Sequence, residues 1–215
     1  MSSTYLITRP EHDDTTYYLS IWSKETIKLA EERDFKVLDL YREKANKKEF
    51  EEKIKKFSPK LVMLNGHGNF DLVTGHKNEI IVKAGINEGL LKSKIIYALS
   101  CKSAKILGPK SIEAGALNYT GYEDDFIFVY EPEQFSRPLS DKTAELFLSP
   151  SNLFIESLIK GNSVKEAFEK SRTALKKSLS KAVSTLESDP TAARFLWWNL
   201  INFKSHGDIG AQVLD

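Results

Sequence analysis

Two uninterrupted apolar runs, Leu61 to Leu64 (LVML) and Ile95 to Leu99 (IIYAL), constrain the fold of this chain more than any other feature. A strand with one face in water alternates apolar and polar residues, whereas a strand buried on both faces has no wet side to mark. The two runs therefore predict central strands of a sheet covered on both sides. Such sheets are mostly parallel, because parallel neighbours need crossover connections and the crossovers cover the faces.

The remaining sequence supplies those crossovers. Residues 4–9 (TYLITR) read as a strand ending at Pro10, and residues 15–33 as a helix with Leu19, Trp22, Ile27 and Ala30 at near-helical spacing. Phe35 to Tyr41 repeats the strand, and Asn46 opens a helix carrying Phe50, Ile54 and Phe57 until Ser58-Pro59 stops it. Between the two apolar runs, DLVTGHKNEIIVKAG has the pattern of a hairpin and Asn87 to Leu91 that of a short helix. After Cys101 a helix to Ala114, closed by Gly115, leads to a fifth strand from Ala116 to Tyr122.

An irregular stretch follows from Glu123 to Ser140, a length typical of functional loops. Two helices come next. The second is opened by a Ser163-Val164-Lys165-Glu166 capping box and carries Val164, Ala167, Phe168, Leu175, Leu179, Ala182, Val183 and Leu186 inward. Asp189-Pro190 opens a last helix through Trp197 and Trp198, with an edge strand at Leu200 to Phe203. The whole predicts one domain over residues 1–215, a three-layer α/β/α sandwich with a mostly parallel, doubly wound sheet of about six strands.

Charge narrows the function. With 31 Lys and Arg against 30 Asp and Glu the net charge is +1, too weak a field to draw nucleic acid or an anionic membrane. The Lys-rich helix faces at 47–56 and 165–181 have acids interspersed, as solvated faces do. No stretch approaches the roughly 18 apolar residues of a membrane span, and MSSTYLITRPEHDD lacks the features of a secretory signal. One cysteine can form neither an internal disulfide nor a thiolate metal cage, so a reducing, cytoplasmic setting is expected. Packing, reactivity and an intermolecular bond remain as roles for that thiol.

In open parallel sheets ligands bind beyond the carboxyl ends of the strands. There LVML is followed by Asn65-Gly66-His67-Gly68 and IIYAL by Ser100-Cys101, so an imidazole and a thiol leave adjacent buried strands 34 positions apart. An imidazole beside a thiol can deprotonate it, stabilise the thiolate and later protonate a leaving amine. The glycines flanking His67 let the backbone approach a ligand, and the N–H groups of Gly68 and Cys101 can face a developing oxyanion. Alone, the cysteine reads as a small buried hydrophobe and the histidine as a turn residue; together they make a catalytic dyad the stronger reading. Two other thiol chemistries fit poorly: a phosphatase loop needs Arg where Leu107 stands, and class I glutaminases place Cys before His.

An apolar strand, His-Gly, a spacer, a second apolar strand and Cys is a pattern that resembles the caspase-like cysteine peptidases of clan CD, which include caspases, metacaspases, legumains, gingipains, separases and CHAT domains. CKSAKILGPKSIEAGALNYTGY and the later LIKGNSVKEAFEKSR look most like the gingipain and CHAT branches, over about residues 60 to 175. The resemblance implies the caspase-like fold, Cys101 as nucleophile, His67 as general base and acid, and Gly68 with Cys101 as oxyanion hole. The caspase signature Gln-Ala-Cys is replaced by Leu99-Ser100-Cys101, which removes the ground for Asp specificity.

In that superfamily the segments after the first and fifth strands wall the specificity pocket. Here they carry Asp13 and Asp14, next to Glu11 and His12, and Glu123, Asp124 and Asp125. Carboxylates there would bind a substrate Arg or Lys and repel Asp. The competing readings are a helix cap at Asp13 or Asp14 and a solvated turn at Glu123 to Asp125. Phe126 to Tyr130 serve either a subsite wall or the core, Trp197 and Trp198 read as core anchors, and His76 and His206 as surface residues. The expected function is a cysteine endopeptidase cleaving peptide or protein substrates after Arg or Lys, with no cofactor or metal. The alternative is a non-catalytic or partner-activated module of the same fold, for which an activating protein partner is the natural expectation.

Overall fold

The computed structural model describes residues 3–184 and 190–214. Leu61–Asn65 (β3) and Ile95–Leu99 (β7) are buried at every position and lie side by side in parallel, Leu61 beside Ile95 and Asn65 beside Leu99. Thr4–Arg9 (β1) pairs with the other edge of β3, and Lys36–Tyr41 (β2) lies outside β1. Beyond β7 come Asn118–Tyr122 (β8), parallel, and Phe203–Gly207 (β9), antiparallel. The sheet order is β2-β1-β3-β7-β8-β9, so the architecture is α/β with a six-stranded, mostly parallel sheet. A separate small antiparallel sheet is made by Gly68–Asn69 (β4), Leu72–Thr74 (β5) and Ile80–Lys83 (β6), the segment whose pattern predicts a hairpin.

Alternate residues of the buried strands feed two cores. Tyr5, Ile7, Leu61, Met63, Ile95 and Tyr97 face one side, packed by Asp14–Trp22 (α1), Lys24–Glu32 (α2), Lys142–Ile159 (α5), Val164–Ser184 (α6) and Thr191–Asn202 (α7). Leu6, Val62, Leu64, Ile96 and Ala98 face the other, packed by Lys47–Phe57 (α3), Leu107–Glu113 (α4) and the small sheet. Three layers follow directly from strands with no polar face.

Local differences from the sequence expectation have physical causes. The helix expected over 15–33 breaks at Ser23, where the Trp22 carbonyl accepts from Asn152 Nδ2 (3.0 Å) instead of from its own helix. The helix expected directly after Cys101 begins only at Leu107. Lys102 adopts a left-handed φ of 61°, and the N–H groups of Lys102, Ala104 and Ile106 donate across to Asp124, Tyr122 and Phe70 carbonyls. Leu200 to Asn202 continue α7, since Leu196 and Leu200 keep facing the core, and the edge strand starts at Phe203. The Ser163–Glu166 capping box forms at the start of α6, with both the Ser163 N–H and its hydroxyl donating to Glu166 at 2.8 Å. Val183 is half exposed rather than inward, and Leu186 and Asp189 lie outside the described residues.

The strand order places a switch point. From β1 the chain steps outward to β2, then returns past β1 to β3, so the connections leave β1 and β3 in opposite directions, and in open sheets the carboxyl ends at such a point are where ligands bind. Buried Arg9, last in β1, anchors that end through a paired hydrogen bond to Asp39 and a 3.1 Å bond to the Ser20 carbonyl of α1.

Candidate functional site

His67 leaves β3 through a turn that tolerates no side chain on either flank. A Cβ at Gly66, whose φ is +156°, would stand 2.0 Å from the Thr74 carbonyl oxygen. One at Gly68 would stand 2.4 Å from the Cys101 carbonyl oxygen. Gly68 thus seats the histidine turn directly on the cysteine turn. The Thr74 N–H donates to the His67 carbonyl (2.9 Å), which by the alternation of an antiparallel ladder turns the Gly68 N–H away from β5.

The imidazole is held from the β1 side. His67 Nε2 lies 2.7 Å from Oδ2 of Asp13, while Asp13 Oδ1 accepts from the Thr16 N–H and hydroxyl, both at 2.8 Å. Asp13 is therefore the N-cap of α1 and the carboxylate partner of His67 at once. Burial pushes its pKa up, but the Thr16 N–H and the His67 ring together hold it below the usual carboxylate range. A carboxylate on one imidazole nitrogen fixes ring orientation and leaves the other nitrogen for proton transfer.

The thiol sits in a different environment. Cys101 is partly buried, and Sγ lies 3.7 Å from the Phe126 carbonyl, its hydrogen-bond acceptor. Burial pushes its pKa up to about 11, and the Asp125 carboxylate nearby adds to the rise. Asp125 in turn holds Lys102 Nζ at 3.1 Å. No hydrogen bond joins the side chains of His67 and Cys101 among the described residues, although their turns are in contact.

Asp13 reaches His67, and Asp124 and Asp125 reach the Cys101 turn, Asp124 by accepting the Lys102 N–H at its carbonyl (3.1 Å). Asp14 and Glu123 join neither: Asp14 accepts from the Tyr130 hydroxyl (2.9 Å), and Glu123 lies 3.8 Å from His206 Nε2 on β9. The loop after β8 is fastened rather than loose. Trp198 Nε1 donates to the Asp125 carbonyl (3.0 Å), Asn199 brackets Ile127, and Phe126 and Phe128 pack into an aromatic cluster with Tyr18, Tyr122 and Tyr130. Trp197, read as a core anchor, is instead half exposed on α7.

Sequence reasoning passed over two residues that belong here. His12 lies beside Asp13 with its ring centroid 6.0 Å from that of His67, and His76 packs against His12 at 5.4 Å. His76 is half-buried because the hairpin folds back over the loop after β2, its N–H donating to the Ala45 carbonyl (2.7 Å). His206 is half-buried as well. Adjacency of β1 and β3 in the sheet is the signal that brings His12 and Asp13 to His67.

Fold and site together define an α/β protein that carries, at the sheet's switch point, an oriented imidazole and a neighbouring thiol. The chain matches no model of a known protein family, and no curated protein matches it. No helix of the described residues is long and apolar enough to cross a membrane.

Proposed function

We propose that the protein is a caspase-like cysteine endopeptidase that hydrolyses peptide bonds after Arg or Lys. The observation that carries the reading is the junction of the two turns: Gly68 lies against the Cys101 carbonyl while Asp13 orients His67 from the far side. Cys101 Sγ loses its proton to His67 and bonds to the scissile carbonyl carbon, and the Gly68 and Cys101 N–H groups receive the oxyanion. Collapse breaks the C–N bond as His67 returns the proton to the leaving amine. Water then gives a proton to His67 and attacks the thioester, and the thiol is regenerated with release of the acid. A substrate Arg or Lys takes the place beside Asp125 that Lys102 Nζ now holds. The single cysteine and the near-zero net charge support a cytoplasmic setting and peptide or protein partners rather than nucleic acid.

A second reading, a partner-activated or non-catalytic peptide-binding module, is favoured by the thiol raised to about 11 and by the missing His67–Cys101 hydrogen bond. Incubation with a peptide mixture, followed by mass-spectrometric reading of cut sites, separates the two. The peptidase reading expects cuts after Arg and Lys that vanish in Cys101→Ser. Peptide binding without cutting, unchanged by added cell extract, sinks it.

A further inference from the structure

Three of the chain's four histidines gather at the sheet's switch point, and two of them converge with Asp13. One ligand atom from each of His12, Asp13 and His67 lies within 4.8 Å of the other two. Asp13 Oδ2 is 2.7 Å from His67 Nε2 and 3.5 Å from His12 Nε2. Because Thr16 fixes Oδ1, Oδ2 is the oxygen aimed at both rings. With metal–nitrogen bonds of about 2.0 to 2.1 Å, ligand atoms in a tetrahedral zinc site stand about 3.3 Å apart. The carboxylate contacts already bracket that spacing.

The donor set selects the ion. Two imidazoles and one carboxylate suit zinc and its neighbours, whereas calcium asks for six to eight oxygens and magnesium for an octahedron of them. The three ligands come from two segments fixed by β1, α1 and β3, so binding needs side-chain shifts of about 1 Å rather than a folding event.

We infer that His12, Asp13 and His67 form a binding site for a divalent transition ion of the zinc class, with the fourth position open to water. Occupancy at Nε2 leaves the His67 ring protonated at Nδ1, where it can no longer accept a proton from Cys101. That consequence, a metal-controlled off state, rests on the peptidase reading; the binding site does not.

The test titrates metal-free full-length protein with zinc by calorimetry and with cobalt by visible absorption. The expected result is uptake of a single ion, a cobalt spectrum without a thiolate charge-transfer band, and affinity weakened by about 100-fold in His12→Ala and in Asp13→Asn. Asp13→Asn keeps an oxygen for the Thr16 cap, so loss of binding there without loss of melting temperature is not misfolding. Cys101→Ser and His206→Ala bind like the parent. No uptake by the parent, unchanged affinity in His12→Ala, or a thiolate band overturns the site. In parallel, zinc is expected to block adduct formation at Cys101 by an arginyl peptide electrophile. Equal adduct with zinc bound overturns the off state, while intact zinc binding with no adduct under any condition upholds the site and counts against the peptidase reading.

Discussion

Ionisation of Cys101 gives the sharpest quantitative expectation. With the thiol pushed up to about 11, only about 0.03% is thiolate at pH 7.5, against about 9% for a free cysteine at 8.5, a deficit of about 300-fold. A more basic thiolate is intrinsically more nucleophilic, with a Brønsted slope of about 0.4 to 0.5, which returns a factor of about 10 to 18. Net alkylation of the resting protein by iodoacetamide is then about 15 to 30 times slower than that of a model thiol. Followed by intact mass, the rate should climb about tenfold per pH unit through pH 10 without levelling. Asp125→Asn removes a nearby negative charge and frees the Lys102 ammonium, so the profile shifts to lower pH and the rate at pH 7.5 rises, while burial still keeps the thiol above the ordinary cysteine value. A plateau below pH 8 in the parent, moved upward by His67→Ala, would show a thiolate already paired with imidazole and refute this account of the resting site.

Two further outcomes follow from packing. Gly68→Ala drives a methyl into the Cys101 carbonyl at 2.4 Å and against Ser100 Cβ at 3.0 Å, so thermal melting should report a loss of about 1 to 3 kcal/mol along with slowed labelling of Cys101. Asp39→Asn leaves buried Arg9 with a neutral partner. The cost is about 2 to 3 kcal/mol, discounted for the part-exposed carboxylate, and a fall in melting temperature of less than 3 °C would contradict the anchoring role given to Arg9.

The layered fold was legible because it rests on strand burial, which apolar continuity reports directly in LVML and IIYAL. Boundaries set by tertiary bonds were not. The break at Ser23 depends on Asn152, distant in sequence, and the late start of α4 depends on Asp124, Tyr122 and Phe70 capturing the N–H groups of the preceding turn. In the site, the apposition of the histidine and cysteine turns was readable from two strand ends, but the role of Asp13 was not. Spacing gives it equally to a pocket wall or to a helix cap, and only the sheet order brings it to His67 as well. Lys102 escaped for the same reason, its pairing with Asp125 being set by the return of the chain from β8. The histidine cluster needed both the switch point and the folding back of the hairpin.

A His67–Cys101 dyad serving basic substrates is tested by intact mass after exposure to peptidyl electrophiles bearing Arg, Lys, Asp or Leu at the reacting position. A single adduct on Cys101 with the Arg and Lys probes, lost in His67→Ala, is the predicted result. Absence of any adduct while the denatured thiol reacts freely, or equal labelling in His67→Ala, would contradict it.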